Sequence, residues 1–267
     1  MNMHLLYQRL ITVGDVNALD SIEFTIASTM IKYLNNLPSL SIDQLAELCH
    51  VSKSSLSKFV RSIGFKDYSE FREAAIEQNE PDRYKSGYPT QNITDGIMEY
   101  GADGYLKILA IDIKNLFGSE ELTDKISHLV DDIYHHDDIA AFGEIYSETA
   151  AMNFQYKMSY YRKFVYTSMD TKRQSEYMDR VNENCLIIIF SNSGKYLQNV
   201  SERFLTSSKM TRVLITSNPT PPNAEAMDYM LEINYSSLVQ NHPILYQLLI
   251  ERIAVVYQER YGLPNDI

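Results

Sequence analysis

From Asp138 onward, five short apolar runs recur between amphipathic stretches: IAAFG (139–143), KFVYT (163–167), CLIIIFS (185–191), RVLITS (212–217) and YMLEI (229–233). Runs this short and this rich in β-branched residues predict buried strands. The stretches between them carry helical periodicity at 147–161, 172–181 and 195–208, and a last helix is expected from Pro243 to Tyr261. Strands alternating with helices close into a parallel sheet, because a parallel pair needs a long crossover and helix is the usual one.

The first 78 residues have a different texture. Leu5, Leu6 and Leu10 open a short helix, and Ile22, Ile26, Met30, Ile31 and Leu34 form a second apolar stripe that stops at Asn35-Asn36 and Pro38. In SIDQLAELCHVSKSSLSKFVRSIGFKDYSEF (41–71), Ser41 caps a helix with Gln44 at the capping-box position. Leu45, Ala46 and Leu48 supply that helix's core side. The turn Cys49-His50-Val51 follows, with His50 where glycine is common, and histidine tolerates positive φ better than most residues. Ser52 caps the next helix, Leu56, Phe59, Val60 and Ile63 face inward, and Gly64 ends it. Phe65, Tyr68 and Phe71 anchor a further helix. Two short helices joined by such a turn are the form in which a recognition helix is offered to a DNA major groove.

Charge sharpens this reading. The chain of 267 residues carries −11, yet Val51–Lys66 contains no Asp or Glu and holds Lys53, Lys58, Arg61 and Lys66. That segment is +4, so the remainder is −15. A basic island on an acidic protein suits one specific polyanion contact and argues against a general nucleic-acid coat protein. The outward residues expected to meet DNA are Ser52, Lys53, Ser54, Ser55, Ser57, Lys58 and Arg61. A structural bundle with a solvated basic face fits the same pattern.

A second constellation lies at CLIIIFSNSGKYLQ. In an open parallel sheet the ligand crevice sits at the carboxyl ends of the strands. Ser191 and Ser193 offer hydroxyls to a phosphate, Asn192 lies between them, Gly194 lets backbone approach, and a helix starting near Lys195 favours an anion. FGEIYSE (142–148) supplies Ser147 at another strand end. A serine-rich strand-to-helix turn without a ligand remains the plain alternative.

No apolar run reaches the roughly 20 residues that span a bilayer, and the N-terminus has no signal-peptide pattern, so a cytoplasmic protein is expected. Cys49 and Cys185, the two cysteines, read as buried thiols rather than a zinc site or a disulfide. His135-His136-Asp137-Asp138 reads as a solvated loop, since adjacent residues seldom converge on one metal. Tyr156, Tyr160, Tyr161, Tyr166 and Tyr177 read as core and interface aromatics. No metal and no cofactor is expected.

Taken together, these parts resemble the RpiR-type (MurR/RpiR) family of bacterial transcriptional regulators, across nearly the whole chain. The resemblance rests on residues 41–71, on AFGEIYSETAAMNFQYKM (141–158), on Asp170, and on IIIFSNSG and VLITSN. It implies an all-α helix-turn-helix domain (1–79), a linker (80–91) and an α/β SIS (sugar isomerase) domain with a flavodoxin-like parallel sheet (92–267). It implies a non-enzymatic regulator that binds double-stranded operator DNA as a homodimer or tetramer. It also implies a phosphosugar effector held by Ser147, Ser191, Asn192, Ser193 and Gly194. The family pattern has a second glycine where Ile145 stands and a phosphate-binding Thr where Tyr196 stands. Glu144 and Glu148 bring carboxylates towards the expected phosphate, and Lys195 offsets one charge. Two alternatives stay open: a SIS-type sugar-phosphate isomerase using a pair such as His242 and Glu251, and a regulator whose SIS domain serves oligomerisation alone.

Overall fold

The computed structural model describes residues 6–78, 89–144, 146–182, 184–233 and 243–262. The chain divides into two units, Met1–Ser86 and Gly87–Ile267.

The first unit is helical: α1 (Leu6–Val16), α2 (Ile22–Lys32), a 3-10 turn (Leu34–Ser39), α3 (Ile42–Leu48), α4 (Lys53–Ser62) and α5 (Tyr68–Gln78). Serines set three of the helix starts. Ser21 accepts the Phe24 amide at 3.0 Å and Ser52 accepts the Ser55 amide at 3.1 Å. Ser41 and Gln44 form the expected reciprocal box, with bonds of 3.3 and 2.8 Å. Such caps contribute about 1 kcal/mol each. Leu10, Ile26, Met30, Leu45, Leu56, Phe59, Val60 and Phe71 meet in one core, while Leu48 is only partly covered.

Helices α3 and α4 end in the same way. His50 N–H donates to Glu47 O and Val51 N–H to Ala46 O; Gly64 N–H donates to Arg61 O and Phe65 N–H to Val60 O. Each is a six-residue C-terminal closure that needs a left-handed residue. His50 takes φ 53° and Gly64 takes φ 91°. The histidine therefore fills a place usually left to glycine, as its position in the turn predicts.

The second unit runs α6 (Pro89–Phe117), α7 (Glu120–His135), β1 (Asp138–Gly143), α8 (Tyr146–Tyr160), β2 (Val165–Tyr166), α9 (Thr171–Arg180), β3 (Cys185–Phe190), a 3-10 turn (Lys195–Gln198), α10 (Glu202–Thr206), β4 (Thr211–Thr216), a 3-10 turn (Ala224–Ala226), β5 (Tyr229–Glu232) and α11 (Pro243–Tyr261). All five expected strands are present, in the order β2-β1-β3-β4-β5 with every pair parallel. This is the flavodoxin-like order. Leu186, Ile188 and Phe190 face one layer with residues of α7, α8 and α11. Cys185, Ile187 and Ile189 face the other with Met178 of α9 and Phe204 of α10. Two buried faces explain why β3 has no polar alternation. Both cysteines are buried, and burial pushes their thiols up to about 11.

Two helices depart from expectation. The helix expected over 195–208 is a 3-10 turn followed by a separate five-residue α10. Gly194 enters the turn at φ 75°, and Ser201 restarts the chain by accepting the Phe204 amide. Helix α6 begins at Pro89, inside the expected linker, where proline suits a first turn, and it breaks at Gly101 (φ 68°, ψ 167°). Of the expected linker, residues 80–88 lie outside the described residues, and 89–91 are helical.

Candidate functional site

The capped start of α4 and the closed end of α3 fix how the two helices meet. Ser52, Lys53, Ser54, Lys58 and Arg61 are exposed, and Ser55 and Ser57 are half-buried. The seven are not equivalent. The Ser52 and Ser55 hydroxyls lie 3.0 Å apart and are engaged in the cap. The Lys53 ammonium is ion-paired with Asp43 in the first turn of α3. Lys58 and Arg61 have no side-chain partner among the described residues. Asp43 was missed in the sequence because its meeting with Lys53, ten positions later, depends on the crossing of α3 and α4.

In the second unit the strand order reverses direction between β1 and β3, the switch point where ligands enter such sheets. Ser147 and Glu148, both buried, begin α8 beyond β1. A side chain at Gly143 would stand 2.6 Å from Ser147 backbone, so this glycine lets α8 start hard against the strand end. Beyond β3, Ser191 is buried and its Oγ accepts the Tyr196 amide at 3.3 Å. The loop after β4 binds the other residues. Asn192 O accepts from Ser217 N–H, Ser217 Oγ and Thr216 Oγ1, and Asn218 Nδ2 donates to Ser193 O at 2.9 Å. Ser193 Oγ accepts the Lys195 amide at 3.4 Å. The space beside Gly194 is taken by Pro221, whose Cβ would lie 2.2 Å from an added Cβ. This glycine accommodates a neighbouring loop.

Tyr196, where the resemblance calls for a phosphate-binding Thr, turns into the core. Its hydroxyl donates to Gln174 Oε1 at 2.5 Å. Gln174 is fully buried and donates in turn to Gly143 O at 3.1 Å and Ser168 O at 2.6 Å. Burial, with the Glu144 charge nearby, holds the Tyr196 phenol well above its ordinary value, so it stays a donor. Gln174 was not singled out from sequence. The available signal was Asp170, which caps α9 by accepting the Lys172 amide at 2.8 Å and so puts Gln174 one turn on. Ile145 and His242 lie outside the described residues.

The family model described as "Helix-turn-helix domain, rpiR family" matches residues 15–80. The N-terminal unit is a helix-turn-helix domain of the rpiR family. A search of curated protein sequences finds no match for the chain. Among solved structures, the chain is similar to a candidate phosphosugar isomerase involved in capsule formation from Bacteroides fragilis. The TM-score is 0.51 at 17% identity, covering 63% of this chain and 93% of that one. It is also similar to a candidate sugar-phosphate isomerase from Listeria monocytogenes, at TM-score 0.50 and 16% identity, covering 67% and 95%. The Vibrio vulnificus NanR protein complexed with ManNAc-6P aligns over 96% of this chain and 92% of its own, at TM-score 0.46 and 15% identity. At these identities the first two likenesses concern the fold of the α/β unit.

Glu251 pairs with Lys157 at 2.6 Å. Lys157 lies ten residues into α8 from Ser147, about 15 Å along the helix from the strand ends. His136 is tied to Asp132 O and Thr211 Oγ1, and no His/Cys/Asp/Glu group fit for a metal occurs among the described residues. No helix among them is long and apolar enough to cross a membrane.

Glu144 directly follows the carboxyl end of β1. Burial pushes it above the ordinary carboxylate value. With the folded value above the unfolded one, the protonated form's contribution is intact below the unfolded value. It is lost as pH rises through the folded one. Glu144→Gln is therefore expected to raise the melting temperature at neutral pH, with the gain shrinking towards acid. Melting curves across pH check this; a gain that grew towards acid would contradict it.

Proposed function

We propose that this protein is a sequence-specific DNA-binding transcriptional regulator of bacterial sugar metabolism, cytoplasmic and not an enzyme, whose SIS domain answers to a phosphosugar. The observation that carries the reading is the joining, in one chain, of an rpiR-family helix-turn-helix to an α/β unit with the phosphosugar-isomerase fold. The boundaries assigned are 1–79 for the DNA-binding domain, 80–91 for the linker and 92–267 for the sensing domain. On the DNA side Lys58 and Arg61 contact phosphates or base edges, with Ser54 and Ser57 beside them, and Ser52, Lys53 and Ser55 at the helix start. On the ligand side Ser147, Ser191, Asn192, Ser193 and Gly194 frame the crevice at the switch point. A homodimer or tetramer would place two recognition helices about 34 Å apart on a near-palindromic operator. Ligand and operator must then change each other's affinity reciprocally.

The test is a thermal-shift screen of the full chain against hexose, amino-sugar and pentose phosphates, with unphosphorylated sugars alongside. A ligand at about 100 times its Kd stabilises the folded state by about 2.7 kcal/mol, so one phosphosugar is expected to shift the melt clearly. Ser193→Ala should abolish that shift. If none of the compounds moved the melt, the sensing role would fall and the α/β unit would be left with oligomerisation. Glu144, Glu148 and the Pro221 contact at Gly194 favour that second reading.

A further inference from the structure

The ion pair between Asp43 and Lys53 bears on how the helix-turn-helix meets DNA, and its significance rests on the DNA-binding function proposed for this chain. Lys53 is the first residue of α4, at the end that a recognition helix directs towards bases and phosphates. Asp43 is the second residue of α3, and it is held there on two counts. The Ser41–Gln44 box fixes the start of α3, and the positive end of the helix dipole favours an acidic residue in the first turn. The left-handed His50 then sets the angle at which α4 leaves. Both charged side chains are more than half exposed, at 58% for Lys53 and 63% for Asp43. A pair so exposed contributes little to stability. Its main consequence is electrostatic, because an ammonium already facing a carboxylate brings almost no net charge to a phosphate. Lys58 and Arg61, further along α4 and unpaired among the described residues, bring their full charge.

We propose that Asp43 is a resident competitor for Lys53. It keeps this lysine out of the count of phosphates neutralised on DNA of arbitrary sequence and so lowers the protein's non-specific affinity. The chain then relies on Lys58 and Arg61 for charge and holds sequence-independent binding down at the end of the helix nearest the bases.

The experiment is titration of the full chain with a labelled duplex of arbitrary sequence over a series of salt concentrations. Each phosphate neutralised adds about 0.9 to the slope of log K against log salt. Asp43→Asn is expected to bind more tightly and to steepen the slope by about 0.9. Asp43→Ser is expected to do the same, and thermal melts report whether either variant has lost its fold. In a Lys53→Ala background, Asp43→Asn should leave the slope unchanged. An unchanged slope in the single variants would overturn the proposal. So would a steepening that persists without Lys53, since the carboxylate would then act by its own repulsion of DNA. Failure of the wild type to bind the duplex even at low salt would instead bring down the DNA-binding reading itself.

Discussion

A Lys58→Ala/Arg61→Ala double variant is expected to fold normally and to bind DNA about a hundredfold more weakly than the wild type at moderate salt. Both side chains are exposed and have no partner among the described residues, so their removal leaves no buried group unsatisfied. Alanine is the best helix former, so α4 keeps its propensity, and its inward residues Leu56, Phe59 and Val60 are untouched. The loss falls on binding. A lost phosphate or base contact costs about 1–3 kcal/mol, and two lost phosphate contacts lower the salt slope by about 1.8. Fluorescence anisotropy over a salt series reads both quantities. Wild-type affinity and slope in the double variant would mean that α4 is not the DNA-facing helix. A loss of affinity with an unchanged slope would mean that the two residues read base edges without neutralising phosphates.

What could be read before the structure was known is mostly local. The capping box at Ser41–Gln44, the cap at Ser52 and the stop at Gly64 each depend on residues within one or two turns. His50 could be placed at a positive φ because the turn demands such a residue whatever its identity. The five strands were legible as short apolar runs between helical stretches, most plainly β3, which is covered on both faces and carries no charged or hydroxyl residue. What escaped depends on distant partners. The stretch after Gly194 has a helical pattern, yet Pro221 lies against that glycine and Ser201 begins a new helix. The bond between Tyr196 and Gln174 joins residues 22 apart in sequence, and neither side chain announces the other. Asp43 and Lys53 meet across a turn whose geometry is set by the closure at His50. Periodicity reports which face is buried and is silent about which polar groups find each other.

The second large effect is expected at Gly194, and it separates backbone strain from crowding. An alanine there must hold φ near 75°, a left-handed conformation that costs an L-residue about 1–2 kcal/mol. Its Cβ would also stand 2.2 Å from Pro221 Cβ and 3.3 Å from Pro222 Cδ. Two consecutive prolines have little freedom to withdraw, so the loop after β4 must move, at about 1–3 kcal/mol for overpacking. Together Gly194→Ala should destabilise the α/β unit by about 2–5 kcal/mol, a drop of about 4–20 °C in its melting temperature for a unit of this size. Gly14→Ala is the matched control. That glycine lies inside α1 with nothing within 4 Å of the added carbon, so the substitution is expected to be neutral or stabilising by up to about 1 kcal/mol. Adding Pro221→Gly to Gly194→Ala removes the colliding carbon and leaves φ unchanged. The double variant should recover the crowding part of the loss relative to Pro221→Gly alone and keep the strain part. If Gly194→Ala melted like the wild type, the loops after β3 and β4 would not be locked together as the Asn192–Ser217 and Ser193–Asn218 bonds imply. The serines between those loops would then owe their positions to something other than this packing.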